Sequence, residues 1–140
     1  MTLLSTLLGC IHLGVPPVST GWKLVAVSAP VAIAGLEPVV TREVERALTE
    51  AGAARAGGHA LHVVVLDAHL APGRRAGDTI AYEAVLRLRF SDGGEPCTVT
   101  RTAWVADPGG ASGASAAEAR LFASLSREAA VDGVGCLLRP

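Results

Sequence analysis

The segment "DTIAYEAVLRLRF", residues 78–90, alternates in polarity almost without fault. Ile80, Tyr82, Ala84, Leu86, Leu88 and Phe90 fall on one side, and Ala81, Glu83, Val85, Arg87 and Arg89 on the other. Successive side chains of a strand point to opposite faces, so a period of two commits the segment to a strand with one apolar and one mixed face. Such a strand belongs in an antiparallel sheet covered on one side only. The rest of the chain must therefore cover Leu86, Leu88 and Phe90 and leave Arg87 and Arg89 in a different environment.

The neighbouring segments supply the sheet. "SDGGEP" is hairpin-turn chemistry, and "CTVTRTAWV" after it is a strand rich in β-branched residues. Upstream, "HALHVVVLDAHL" is apolar on both faces through its middle and reads as a central strand. "APGRRAGD" is a turn with Arg74 and Arg75 at its tip. A first strand is expected over Trp22–Ile33. On the open side of this sheet Val63, Val65, Val85, Arg87 and Arg89 are the expected members, with Arg101 of the last strand joining the arginines.

Two segments carry helical spacing instead. Leu36, Val40, Val44, Leu48 and Ala51 recur on one stripe, with Pro38 in the first turn and Gly52 past the end. Glu37, Glu43, Glu45 and Glu50 read as solvated charges of this helix, with Arg46 and Glu50 at ion-pair spacing. Ser115 and Glu118 have capping-box spacing ahead of a second stripe, Leu121, Phe122, Leu125 and Ala129. Gly133 and Gly135 weaken the end of that helix. The order β-α-β-β-β-α predicts an α+β fold, a two-layer sandwich. It has a four-stranded, mostly antiparallel sheet with two helices on one face.

A chain of 140 residues supports one such core. Half of it is hydrophobic, 18% is charged and the net charge is −1, a balance foreign to disordered chains and to nucleic-acid binders. With Trp22, Tyr82, Phe90, Trp104 and Phe122 as the whole aromatic set, no base-stacking platform is legible.

Met1 to Trp22 contains no Asp, Glu, Lys or Arg, but Gly14, Pro16, Pro17, Ser19 and Thr20 break its second half as a membrane helix. Within it, Leu7-Leu8-Gly9-Cys10 resembles the bacterial lipobox, whose Cys becomes the lipid-bearing N-terminus. No basic residue precedes the apolar run, and a start codon upstream of Met1 would supply one. The alternative is an apolar leader or buried segment. The lipobox reading divides the chain into a signal remnant over 1–9, a tether over 10–21 and one α/β domain over 22–140.

Cys10, Cys97 and Cys136 are an odd set that becomes an even pair if Cys10 is lipidated. Cys97 opens the last strand, and the second helix returns antiparallel across the sheet, which brings Cys136 to the same edge. A disulfide is therefore expected, with two separately buried thiols as the alternative.

Catalytic and metal constellations fail. His59 and His62 point to opposite faces, while His59 and His69 share a face roughly 33 Å apart. His12 cannot be placed. Cys97 and Cys136 lack C-x-x-C companions. "GGASGAS" lacks the lysine of a phosphate-binding loop, and there is no G-x-S-x-G. The expectation is no enzyme, no cofactor and no metal. Arg74, Arg75, Arg87, Arg89 and Arg101 remain, either as solvated sheet charges or as a strip that grips phosphate or carboxylate.

A lipobox-like Cys10 followed by "GLEPVVTREVERALTEAG", "DTIAYEAVLRLRFSDGG" and "AEARLFASLSREAAVDGVGCLL" resembles the LptE-type lipopolysaccharide-assembly lipoproteins. The likeness covers most of residues 22–138, and only Cys10 transfers by motif. It implies a lipid-anchored protein on the periplasmic face of the outer membrane. There it would plug an LptD-like outer-membrane β-barrel partner, help it assemble and help deliver lipopolysaccharide. A generic outer-membrane auxiliary or ligand-binding lipoprotein, for instance of a lipid-transport system, is the alternative.

Overall fold

The computed structural model describes residues 21–29, 35–77, 79–107 and 111–140, without the side chains of 72–76, 79–80, 106–107 and 111–117. Six elements follow one another: β1 (Trp22–Ser28), α1 (Leu36–Glu50), β2 (His59–Ala76), β3 (Thr79–Ser91), β4 (Cys97–Asp107) and α2 (Ala111–Leu137). The strands form one sheet in the order β1-β2-β3-β4. β1 runs parallel to β2, as the intervening helix requires, and the other neighbours are antiparallel. This is the α+β sandwich expected from the sequence, with both helices on one face of the sheet.

The alternation of β3 decides which face is covered. Ala84, Leu86, Leu88 and Phe90 are fully buried beneath the helices. They join Leu61, Val63, Val65 and Ala68 of β2, the α1 stripe Leu36, Val40, Val44 and Leu48, and Phe122, Leu125, Ala129 and Val134 of α2. Val63 and Val65 therefore belong to the core and not to the open face where they were expected. An apolar run has no alternation to mark its inward side, and the register Val63↔Phe90 and Val65↔Leu88 supplies what the sequence withholds.

α1 ends in a Schellman motif. Gly52 takes φ 67, the Ala53 N–H donates to the Leu48 carbonyl at 2.9 Å, and the Gly52 N–H donates to that of Thr49 at 3.0 Å. Glycine at 52 is thus required by backbone sign. Arg46 turns to Glu43, at 3.5 Å, and not to Glu50.

α2 begins earlier than expected and ends later. Ser115, read as a cap, lies inside the helix, and Gly133 and Gly135 do not stop it before Leu137. Gly133 has a packing reason. A Cβ there would stand 2.1 Å from Phe90 Cε2, so glycine lets the helix backbone settle onto the aromatic ring.

β2 is also longer than expected. It continues through Ala76, so Arg74 and Arg75 lie in the strand, short of the turn at Gly77. Beyond Val64 β1 no longer accompanies β2, and the strand tolerates Pro72 in this singly flanked half.

Two tethers close the sandwich. Cys97 at the start of β4 is disulfide-bonded to Cys136 near the end of α2, with Cα atoms 6.2 Å apart. The Trp22 indole N–H donates to Asp92 Oδ2 at 2.9 Å, fastening the start of β1 to the β3–β4 turn. The Gly94 N–H donates to the other carboxylate oxygen at 3.1 Å. The Trp22 bond first, and the Gly94 bond after it, hold the Asp92 pKa below its ordinary value.

Candidate partner-binding face of the sheet

The face of the sheet opposite the helices carries the candidate site. Antiparallel register sets its rows: Arg87 lies opposite Asp67 on β2 and Thr100 on β4, and Arg89 lies opposite Val64 and Thr98. Both arginines are exposed. The Arg87 Nε–H donates to Thr100 Oγ1 at 3.3 Å, and the His69 Nδ1–H donates to Asp67 Oδ1 at 2.7 Å. Around these polar groups stand apolar side chains that no helix covers. Val85 lies between Arg87 and the hairpin end, Leu66 is exposed on β2, and Trp104 of β4 is 60% exposed. The strip is thus amphipathic: two guanidinium forks, with Asp67 opposite Arg87 and Glu83 opposite Trp104, on a floor of aliphatic, threonine and indole surface. Such forks recognise phosphate or carboxylate bidentately, while the indole contributes area and a polar edge.

Arg101 does not join this strip. The register places it opposite Leu86, on the helix-covered side. There its Nε–H donates to Asp132 Oδ2 at 2.5 Å, and its Nη1 is 3.6 Å from Glu128 Oε2, both on α2. The hydrogen bond to Asp132, then that carboxylate's charge, raises the guanidinium pKa further. Arg101 is a clasp between β4 and α2. Its parity was readable, since Cys97, Val99, Ala103 and Val105 share it and form the apolar side of the strand.

Arg74 and Arg75 are placed by backbone alone, near the β2–β3 tip, with Arg75 opposite Ile80. Cys10 and His12 lie outside the described residues. His69 departs from expectation. A bulge between Val65 and Asp67 reverses the inside–outside order of β2, so His69 lies opposite Val85 on the open face and no longer shares a face with His59. Among the described residues no three His, Cys, Asp or Glu side chains come together as a metal site.

One charged residue departs from the sequence expectation. Glu43 is buried, with 4% of its surface exposed, and is not a solvated helix charge. It sits between the helices with Arg46 and Arg127 3.5 and 3.6 Å from Oε2 and Arg42 3.7 Å from Oε1. Its position was legible, because 36, 40, 43 and 47 trace one stripe at helical spacing. The three arginines keep the carboxylate from being an unpaired buried charge.

No helix among the described residues is long and apolar enough to cross a membrane. No family model and no curated protein matches the sequence. Solved structures do match in fold. A candidate lipoprotein from Caulobacter crescentus superposes with a TM-score of 0.54 at 16% identity, over 83% of this chain and 86% of that one. The rare lipoprotein B from Shewanella oneidensis does so with a TM-score of 0.50 at 12% identity, over 82% and 93%. The sandwich is thus a fold that proteins described as lipoproteins also have.

Proposed function

We propose that the chain is a lipid-anchored periplasmic protein of the outer membrane. In this reading it acts as plug and assembly partner of a β-barrel translocon that delivers lipopolysaccharide to the cell surface. The observation that carries it is Leu7-Leu8-Gly9-Cys10 standing ahead of a fold shared with rare lipoprotein B. Acylation of Cys10 by more than one chain anchors a protein stably, where a single chain binds only marginally. The Cys97–Cys136 disulfide suits an oxidising compartment such as the periplasm. The work is binding without catalysis. The open sheet face offers Arg87 and Arg89 to phosphate or carboxylate groups, and Val85, Leu66 and Trp104 to an apolar partner surface.

Metabolic labelling with an alkynyl fatty acid tests the anchor. The wild type is marked and Cys10→Ala is not; equal labelling of both overturns the reading. Purification in mild detergent then tests the partner. A co-purifying outer-membrane barrel supports the plug, and recovery with components of a lipid-transport system instead identifies an auxiliary lipoprotein.

A further inference from the structure

The two edges of the sheet are built differently. β1 is seven residues long, is irregular between Leu24 and Ala26, and carries Lys23. Short length, a bulge and a lysine are the devices by which proteins keep a sheet edge from pairing with another chain. β4 has none of them. It is eleven residues long, its sequence CTVTRTAWVAD contains neither Lys nor Pro, and its pairing with β3 runs from Ile80↔Asp107 to Phe90↔Cys97 with no register shift. Among the described residues it is hydrogen-bonded to β3 alone, so its outer row of backbone donors and acceptors faces away from the sheet.

We propose that this edge pairs with β4 of a second copy of the chain, antiparallel and about a two-fold axis at Thr102, to give a continuous eight-stranded sheet. Thr102 is the midpoint of Cys97–Asp107, so this register overlaps the whole strand. On the open face Thr102 meets Thr102 of the second copy, and Thr100 meets its Trp104. Threonine pairs and β-branched–aromatic pairs are favourable cross-strand combinations. On the covered face Val99 meets Val105 and Arg101 meets Ala103. The one strong cation of the strand therefore never faces its own copy, and Asp132 and Glu128 already neutralise it. A two-fold axis makes every contact away from Thr102 occur twice, so the edge needs no second kind of surface. A closed barrel wall, by contrast, offers no free edge to receive it.

Sedimentation velocity on the full chain carrying Cys10→Ala, which removes the lipidation thiol, tests the pairing at tens of micromolar protein. The expected result is a dimer that Thr100→Lys with Thr102→Lys converts to monomer, with an unchanged circular-dichroism spectrum. A monomer before substitution overturns the proposal, as does a dimer that survives both lysines. Should the lysines unfold the chain, oxidative cross-linking decides. Thr102→Cys is expected to give a covalent dimer, and Lys23→Cys on the opposite edge is not. No cross-link at 102, or equal cross-linking at both edges, overturns the pairing.

Discussion

Strand β3 borders two unlike regions of the molecule through alternate residues. Leu86 and Leu88 are fully buried on the helix-covered side, while Arg87 and Arg89, which alternate with them, are exposed on the side of Leu66, Val85 and Trp104. The covered face is closed on itself. Its apolar side chains interlock, a glycine admits the Phe90 ring, and a disulfide fixes its rim. The open face has few internal obligations beyond the Arg87–Thr100 and His69–Asp67 bonds. The covered face is where substitution is expected to be felt in stability, and the open face is where the proposed binding would feel it.

The sharpest contrast comes from two positions on opposite faces of β3. Phe90→Ala should cost about 3–5 kcal/mol, because it deletes a buried ring from a packed core. Val85→Thr on the opposite face should stay within about 1 kcal/mol. Urea midpoints of the two variants check this, and similar losses would erase the distinction between faces. Next in size, removing the disulfide with Cys97→Ala and Cys136→Ala should cost about 4 kcal/mol on the chain-entropy model for a closure spanning 39 positions. Thermal unfolding with and without reductant reads the same quantity.

Gly133→Ala should cost roughly 1–3 kcal/mol, since the new Cβ overlaps the Phe90 ring and the helix must lift from the sheet. Gly135→Ala, where a Cβ meets open space, should be neutral or slightly stabilising through helix propensity. The two glycines, one turn-half apart, thus separate packing from propensity.

A smaller effect has a pH signature. The Asp92 pKa is lowered in the folded protein, so its carboxylate stabilises the fold in full above the ordinary Asp value of about 3.9. That contribution is lost as pH falls toward and through the depressed folded value. Asp92→Asn should therefore be less stable than wild type near neutrality, with the gap closing in acid below about pH 4. Denaturant midpoints at pH 7 and pH 3 test it, and a constant gap would contradict the assigned role.

Much of the covered face was legible in the sequence, because period-two and helical stripes are the trace that burial leaves. The spacing of Leu36, Val40, Val44 and Leu48, the glycine at 52 and the alternation of β3 all appear in the structure. What escaped depends on pairing. The bulge near Leu66 moved His69 to the other face, and strand register, which no local pattern encodes, put Val63 and Val65 inside. Arg101 and Glu43 broke the rule that charge means solvent. Each is a charge on an apolar stripe, held by partners from another element. Pro72 and Gly73 suggest a turn at Arg74 and Arg75, yet β2 continues past them to Ala76, short of Gly77.

The covered face holds the fold, and the open face is the one proposed to bind. Replacing Arg87 and Arg89 together by Glu tests it most directly, since exposed charges contribute about 1 kcal/mol or less to stability. The tagged full chain is recovered from detergent-solubilised membranes at moderate salt, any bound lipopolysaccharide and barrel protein are quantified, and the urea midpoint is measured in parallel. The expected result is an almost unmoved midpoint with a clear loss of bound partner or lipopolysaccharide. Recovery of both at wild-type yield would contradict it.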